Sequence, residues 1–362
     1  MDDWYRFDGA ETLDTPALLF YKERIAANIA AALRMVREPA LLRPHVKTHK
    51  CADIVRMMTA AGISKFKCAT IAEAEMLGAA GAPDVLLAYQ PAGSKALRLL
   101  TLVRRFPDVR FSCLVDDTET AAALDAHCAA AGVTLDVWLD LNVGQNRTGV
   151  VPHRAPALAA AVQSCRSLRL AGLHAYDGHI TTADPVECRR QVDDAFAPVF
   201  ALRKELDGIA VIAGGSPTFP CHAGRGDVEC SPGTFALWDG SYQRTYPDQP
   251  FVPAALLMTS VVSVVNTSLF CTDLGHKSVA SEGPIPRLRF VNAPEAMQSG
   301  HSEEHMVVTV PDASKYRIGD RLYAMPNHIC PSVSMYERAA VVSGGRLAGE
   351  WPITARDKRL TV

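Results

Sequence analysis

Lys47, in the segment RPHVKTHK, ends a short apolar run. Burying a charged lysine there is costly, and desolvation lowers its affinity for a proton. A lysine that can become neutral attacks carbonyl groups, so this one suits Schiff-base formation. His45 and His49 stand two residues to either side. On an extended segment that spacing puts all three on one face and Lys50 on the other. A lysine reaching out to solvent is the ordinary alternative.

Four further constellations deserve the same weighing. GGSPT at 214–218 and SPGT at 231–234 are rich in glycine and hydroxyls, which lets main-chain N–H groups and Ser216 or Thr218 meet a phosphate; plain turns have the same composition. In LNVGQNRTGV, Arg147 leaves an apolar run inside a polar, glycine-flanked loop, where a fixed guanidinium can meet a phenolate or a carboxylate, as can any surface turn. In GLHAYDGHITTAD, Tyr176 can lie against an aromatic ring and His179 can act as a general base, while His174 alternates with Tyr176. A core histidine bonded to a carbonyl is the competing account of either one. In PNHICPS, His328 and Cys330 are two apart, and on an extended segment both point one way and can chelate one ion. Imidazole with thiolate favours zinc over magnesium or calcium, and two ligands leave positions open for a substrate. HSEEH at 301–305 offers acids for the outer shell of that ion.

These residues need elements to hold them. Helical periodicity is read at 22–36, 72–80, 94–106, 118–131, 155–164 and 185–206. Between them lie short runs that are apolar on both faces: LLRPHVK, KFKCAT, DVLLAY, VRFSCLVDD, LDVWLDLN, LRLAGLHAY and AVIAGG. Buried parallel strands covered by helices have this look. Seven or eight such units predict a (β/α)8 barrel, with a doubly wound sheet as the alternative. In a barrel the catalytic groups belong where strands end, and the candidates fall there. After about Pro250 the pattern turns to β-branched runs, among them LLMTSVVSVVN, SLFCTDLG, RLRFVN, HMVVTVP and AAVVSGGRLAGEWPI. They predict an antiparallel β domain of roughly 110 residues, to which TPALLFY near the N-terminus adds a strand. The expected division is a barrel over 20–247, and a β domain made of 1–19 with 248–362.

Composition removes several classes. A net charge of -2 without a basic stripe argues against nucleic acid and against anionic membrane surfaces. The acidic N-terminus MDDWYRFDGAETLD is unlike a signal peptide, and no apolar stretch is long enough to span a bilayer. The ten cysteines are scattered without a disulfide framework. A reducing compartment, the cytoplasm, is the expected location.

Taken together, these motifs resemble the D-threonine aldolase and D-serine dehydratase family, whose barrel is of the alanine racemase type. The likeness runs from TPALLFY to WPITARD. It implies pyridoxal 5′-phosphate held covalently by Lys47, with Arg147 facing its O3′ and Tyr176 against the ring. Gly214, Gly215, Ser216, Gly233 and Thr234 would surround the phosphate. It further implies a divalent metal on His328 and Cys330, zinc first and manganese or magnesium as alternatives. A homodimer and a small β-hydroxy D-amino acid as substrate complete the expectation. Two departures bear on the reaction. His-x-Cys at the metal resembles the dehydratases more than the aldolases. The histidine after Tyr176 comes at 179, three residues on rather than about six, and position 182 is Thr182. The leading expectation is an aldolase giving glycine and an aldehyde, with His179 as the base for the β-hydroxyl. A D-serine or D-3-hydroxyaspartate dehydratase comes next, then an amino-acid racemase, then a non-catalytic cofactor-binding protein.

Overall fold

A computed structural model describes residues 3–362. The chain clusters into two compact units, one made of 32–47, 55–233 and 357–362, the other of 1–31, 48–54 and 234–356. Residues 1 and 2, which belong to the expected 1–19 segment, lie outside the described residues.

The chain enters through β1 (Ala17–Tyr21), α1 (Lys22–Met35) and α2 (Ala52–Ala60), and then alternates strand and helix. The order is β2 (Lys65–Cys68), α3 (Ile71–Ala79), β3 (Asp84–Leu87), α4 (Ser94–Arg105), β4 (Arg110–Val115) and α5 (Thr118–Ala131). It continues with β5 (Leu135–Leu141), α6 (Ala155–Ser164), β6 (Leu168–Ala175), α7 (Pro185–Glu205), β7 (Ala210–Ala213), α8 (Phe219–Ala223) and β8 (Glu229–Cys230). Local chemistry explains the helix starts. Thr70 accepts from Glu73 N, Asp117 from Thr120 N, and Asp184 from Val186 and Glu187 N, each satisfying donors that a helix leaves bare at its N-terminus.

Strands β2 to β8 pair in sequence as a seven-stranded parallel sheet. The first barrel segment is too irregular to count as a strand, yet it bridges both edges: Leu42 pairs with Cys230 and His45 with Lys67. Arg43 N donates to Cys230 O at 2.8 Å and Lys67 N to Pro44 O at 2.8 Å, so residues 42–45 stand as the eighth stave of the expected (β/α)8 barrel. The interior is layered, as such barrels are. Charged residues occupy the end where strands begin, Leu86, Leu114, Trp138 and Ile212 fill the middle, and polar residues gather where strands end.

The second unit carries α9 (Gly240–Thr245), β9 (Ala255–Asn266), β10 (Leu269–Thr272), β11 (Leu288–Phe290), β12 (Met297–His301) and β13 (Met306–Thr309). It ends with β14 (Arg321–Pro326), α10 (Ile329–Val333), β15 (Arg338–Ser343) and β16 (Arg346–Pro352). The main sheet order is β12-β13-β10-β9-β1-β15-β16, with β14 joining β9 to β11. Its pairs are antiparallel apart from β1 with β15. β1 therefore adds the N-terminal strand expected from TPALLFY, and Leu19, Leu256, Met258, Tyr323 and Val342 share its core. Among the described residues no helix is long and apolar enough to cross a membrane.

Candidate active site

Tyr176 lies just past the end of β6 and is the hub of the barrel site. The Nζ atoms of Lys47 and Lys67 each stand 5.8 Å from its ring centroid, and the guanidinium carbon of Arg147 stands at 5.2 Å. Side chains from the turn after the first barrel segment, from β2 and from the loop after β5 thus surround one ring, within reach of cation–π attraction. Gly215 makes room on another side, since a Cβ there would come within 2.9 Å of Tyr176 Cε2.

The setting of Lys47 differs from the expected one. Val46–Thr48 is a 3-10 turn rather than strand, so the period-two face shared with His45 and His49 does not exist. His45 instead accepts from Lys47 N through Nδ1 at 3.3 Å. His49 is fully buried, accepts from Cys51 N at 3.2 Å, and burial pulls its pKa down to about 3. Lys50 takes a left-handed backbone at φ 50. A turn at this point frees Lys47 from the barrel wall.

Lys67 escaped the sequence reading although KFKC shows a lysine inside an apolar run. It is 3% exposed, and burial followed by the charge of Lys47 pulls its pKa down to about 7. Its Nζ lies 3.5 Å from His174 Nε2, and His174 Nδ1 lies 2.7 Å from Asp140 Oδ1. Burial also lowers the pKa of His174. Burial works against the Asp140 carboxylate, but hydrogen bonds from His174 and Thr148 outweigh it and hold it below the usual range. His174 is a buried histidine, as the competing account had it, but its partners are the Asp140 carboxylate and Lys67 rather than a main-chain carbonyl.

His179 packs over Gly144: a Cβ on that glycine would lie 2.7 Å from His179 Nε2. Gly144 and Arg147 share one loop, so the expected base lies against the loop that carries the expected guanidinium. That loop is tied down by Asn142 Oδ1, which accepts from Gly144 N and Asn146 N, and by Gly149 N donating to Asp116 at 2.9 Å.

The glycine-rich segments come together, since Gly233 N donates to Ser216 Oγ at 3.2 Å. The donors there already have partners. Gly214 N bonds Ala175 O at 3.1 Å and Gly215 N bonds Thr218 Oγ1 at 3.3 Å. Two of these three acceptors are hydroxyls, which a phosphate displaces readily because charge-assisted bonds are stronger. Beneath the turn, Asp177 accepts from Thr218 Oγ1 at 2.8 Å and pairs with His222 Nε2 at 2.8 Å, both side chains buried. A side chain on Gly214 would collide with His222, at 2.6 Å from Cδ2, so this layer fixes the turn from below. Thr234 turns its hydroxyl toward Cys330 Sγ, at 3.6 Å.

The second unit holds the expected metal pair. His328 is extended, but Cys330 lies within the single helical turn of α10, so an extended segment does not align them as expected. They meet nonetheless. Cys330 beside it, against the burial of the ring and with help from Glu282, pushes His328 up to about 9. Glu282 bonds His328 Nδ1, and Thr48 Oγ1 lies 3.3 Å from Cys330 Sγ. Asp239, pushed up to about 6 by burial, accepts from Ile329 N at 3.2 Å. The acids of HSEEH go elsewhere: Glu303 and Glu304 pair with Lys277. Glu282 is the acid beside His328, and only the fold brings it there. Among the described residues no three His, Cys, Asp or Glu groups converge as a ready metal cage. An imidazole and a thiol as donors still suit a borderline metal.

Comparison with known proteins adds to this geometry. The model of the family described as alanine racemase, N-terminal domain, matches residues 21–234, and that of the putative serine dehydratase domain matches 254–342. D-threonine aldolase from Arthrobacter sp. is 29% identical, covering 96% of this chain and 94% of that one. D-threo-3-hydroxyaspartate dehydratase from Delftia sp. strain HT23 is 26% identical, covering 90% and 93%. The crystal structure of D-threonine aldolase from Filomicrobium marinum superposes with a TM-score of 0.88 at 29% identity, covering 96% of each chain.

Proposed function

The chain belongs to the family of the alanine racemase N-terminal domain, and from that premise we propose that it is a lyase of β-hydroxy D-amino acids working as a D-threonine aldolase, releasing glycine and an aldehyde. The family is pyridoxal-phosphate-dependent, and the relatives named as aldolase and dehydratase are lyases. The observation that carries the reading is the ring of Lys47, Lys67 and Arg147 around Tyr176. Such a cluster fits a ligand bearing phosphate and phenolate charge.

In this reading Lys47 holds the cofactor covalently, Arg147 meets its O3′, and Tyr176 lies against its ring. Gly214, Gly215, Ser216, Gly233 and Thr234 receive the phosphate, with Ser216 and Thr218 exchanging internal bonds for it. Once bound, the cofactor supplies an electron sink for charge developing at Cα. His179 takes the proton of the β-hydroxyl, and its place over the Arg147 loop keeps it near the ring. His328 and Cys330 hold a divalent metal, zinc before manganese or magnesium, which supplies a Lewis acid for the same hydroxyl. We assign the cofactor to a domain over 20–247 and the metal to one made of 1–19 and 248–362. We further assign the protein to the cytoplasm as a homodimer.

The second reading is a dehydratase, favoured by the cysteine next to His328 and by the Delftia relative. There Lys47 would take the Cα proton, and a metal held by His328 and Cys330 would supply the Lewis acid for the departing hydroxide. D-Threonine labelled with deuterium at Cα separates the two. The aldolase gives acetaldehyde and glycine with no primary isotope effect, and His179→Ala slows it by about 10²–10⁴. Formation of 2-oxobutanoate and ammonia, slowed by the deuterium, overturns it.

A further inference from the structure

Lys67 belongs to the ring of cations around Tyr176, yet the reading above gives it no bond to cofactor or substrate, and it is sealed inside the barrel. Its contacts run in one direction. An ammonium can only donate, so His174 Nε2 accepts from it at 3.5 Å. The imidazole proton then sits on Nδ1 and is donated to Asp140 Oδ1 at 2.7 Å. The other oxygen, Asp140 Oδ2, accepts from Thr148 Oγ1 at 2.8 Å. Thr148 is the neighbour of Arg147, and both side chains therefore depend on where this loop lies. The main chain repeats the tie, since Val150 N donates to Asp140 O at 2.9 Å.

We propose that Lys67 is a positioning residue for Arg147: buried ammonium, imidazole and carboxylate form one chain that ends on the exposed Thr148 hydroxyl and holds the loop whose Arg147 lies over Tyr176. The chain is polarised end to end, cation to anion through a neutral ring, and such networks strengthen when every member is satisfied. It also makes the grip of Arg147 sensitive to pH. The groups acting on Lys67 are Lys47 and Arg43 from the first barrel segment, Asp140 from β5, and His174 and Asp177 from β6 and its following turn. Burial and the two cations outweigh the two carboxylates, which brings its proton loss close to neutrality. As Lys67 loses charge the chain loses its cationic end, and the loop slackens.

The test has two arms, and only the second rests on the cofactor reading. In the ligand-free protein, Lys67→Met should speed hydrogen exchange of the amides at 147–150 by about tenfold, the worth of one hydrogen bond to a charged group. Lys67→Arg should keep most of the protection. Asp116 and Asn142 still hold the loop, so it loosens rather than melts. In the second arm the probe is pyridoxine 5′-phosphate, which lacks the aldehyde and reports binding without a bond to Lys47. Lys67→Met should bind it about tenfold more weakly than the native protein near pH 6.5, with the gap closing as the pH rises past that of Lys67. Thr148→Val should reproduce the loss, and the double variant should be no worse than either single one, the mark of one shared path. Unchanged exchange in Lys67→Met, or losses that simply add in the double variant, overturn the proposal. Should Lys67→Met fail to fold, Lys67→Arg and Thr148→Val carry the exchange test. Failure of the native protein to bind the probe counts against the cofactor reading, and the exchange arm still decides the role of Lys67.

Discussion

At the end of the barrel where strands begin, Arg43 is sealed among partners: its Nη1 donates to Asp84 at 2.5 Å and its Nε to Glu229 at 2.7 Å, while Lys65 also pairs with Glu229. Asp136 is shared in the same way by Arg110 and Arg169. At the opposite end, Lys47, Lys67 and Arg147 crowd one tyrosine ring, while the carboxylates there, Asp140 and Asp177, are bonded to His174 and His222 rather than to these cations. Both ends use lysine, arginine and aspartate. Where each cation meets a carboxylate, charge is neutralised and the result is fold stability. Where cations face an aromatic ring rather than a carboxylate of their own, the protein keeps positive charge that a bound anion can complete. The first arrangement is structure, and the second is a site.

Removing Lys47 should have the largest effect. Lys47→Ala is expected to lower turnover at least about 10³-fold, with no cofactor fixed to the protein by borohydride. Peptide mapping that finds the reduced cofactor on Lys50 or Lys67 in the native enzyme breaks the comparison at its functional end. Next in size is Arg43→Met, which leaves a buried carboxylate, Glu229, and a half-buried one, Asp84, short of a partner. It should cost about 3–5 kcal/mol of unfolding free energy, measured by urea denaturation, with the activity of the folded fraction kept. Loss of activity without loss of stability would mean that the two ends are not separable. The smallest effect concerns pH. Lys67 binds its proton less tightly folded than unfolded, so from about pH 7 up toward its ordinary value the unfolded chain carries more protons. Stability then rises with pH in that window for this group. Denaturation curves at about pH 7 and about pH 9 should show a gain in the native protein that Lys67→Met lacks. An equal gain in both would remove Lys67 from the list of buried cations the fold tolerates at a cost.

Much of this was legible along the chain. Helix α5 starts and stops where its periodicity does, because Asp117 caps it and Gly132 at φ 64 ends it. Those are signals between near neighbours. Seven parallel runs were readable because strands buried on both faces are apolar throughout. β8 was not, since two residues are too few to carry a pattern. Nor was α2, whose helical face begins straight after the polar RPHVKTHK turn.

The site divides along the same line. Residue types alone named Lys47, Arg147, Tyr176 and His179 as chemistry at strand ends, and His328 with Cys330 as a metal pair. What the chain could not state was which charges are answered. Lys67 and Lys65 read alike in KFKC, two residues apart on one strand; one finds Glu229 and the other finds His174 and a second lysine. Glu282, 46 positions from His328, is chosen over the nearer acids of HSEEH because β-sheet pairing draws those toward Lys277. Hydrophobic pattern and capping act through neighbours in sequence, so sequence determines them. The balance of buried charge depends on pairs brought together by barrel closure and sheet order, and only the tertiary structure decides it.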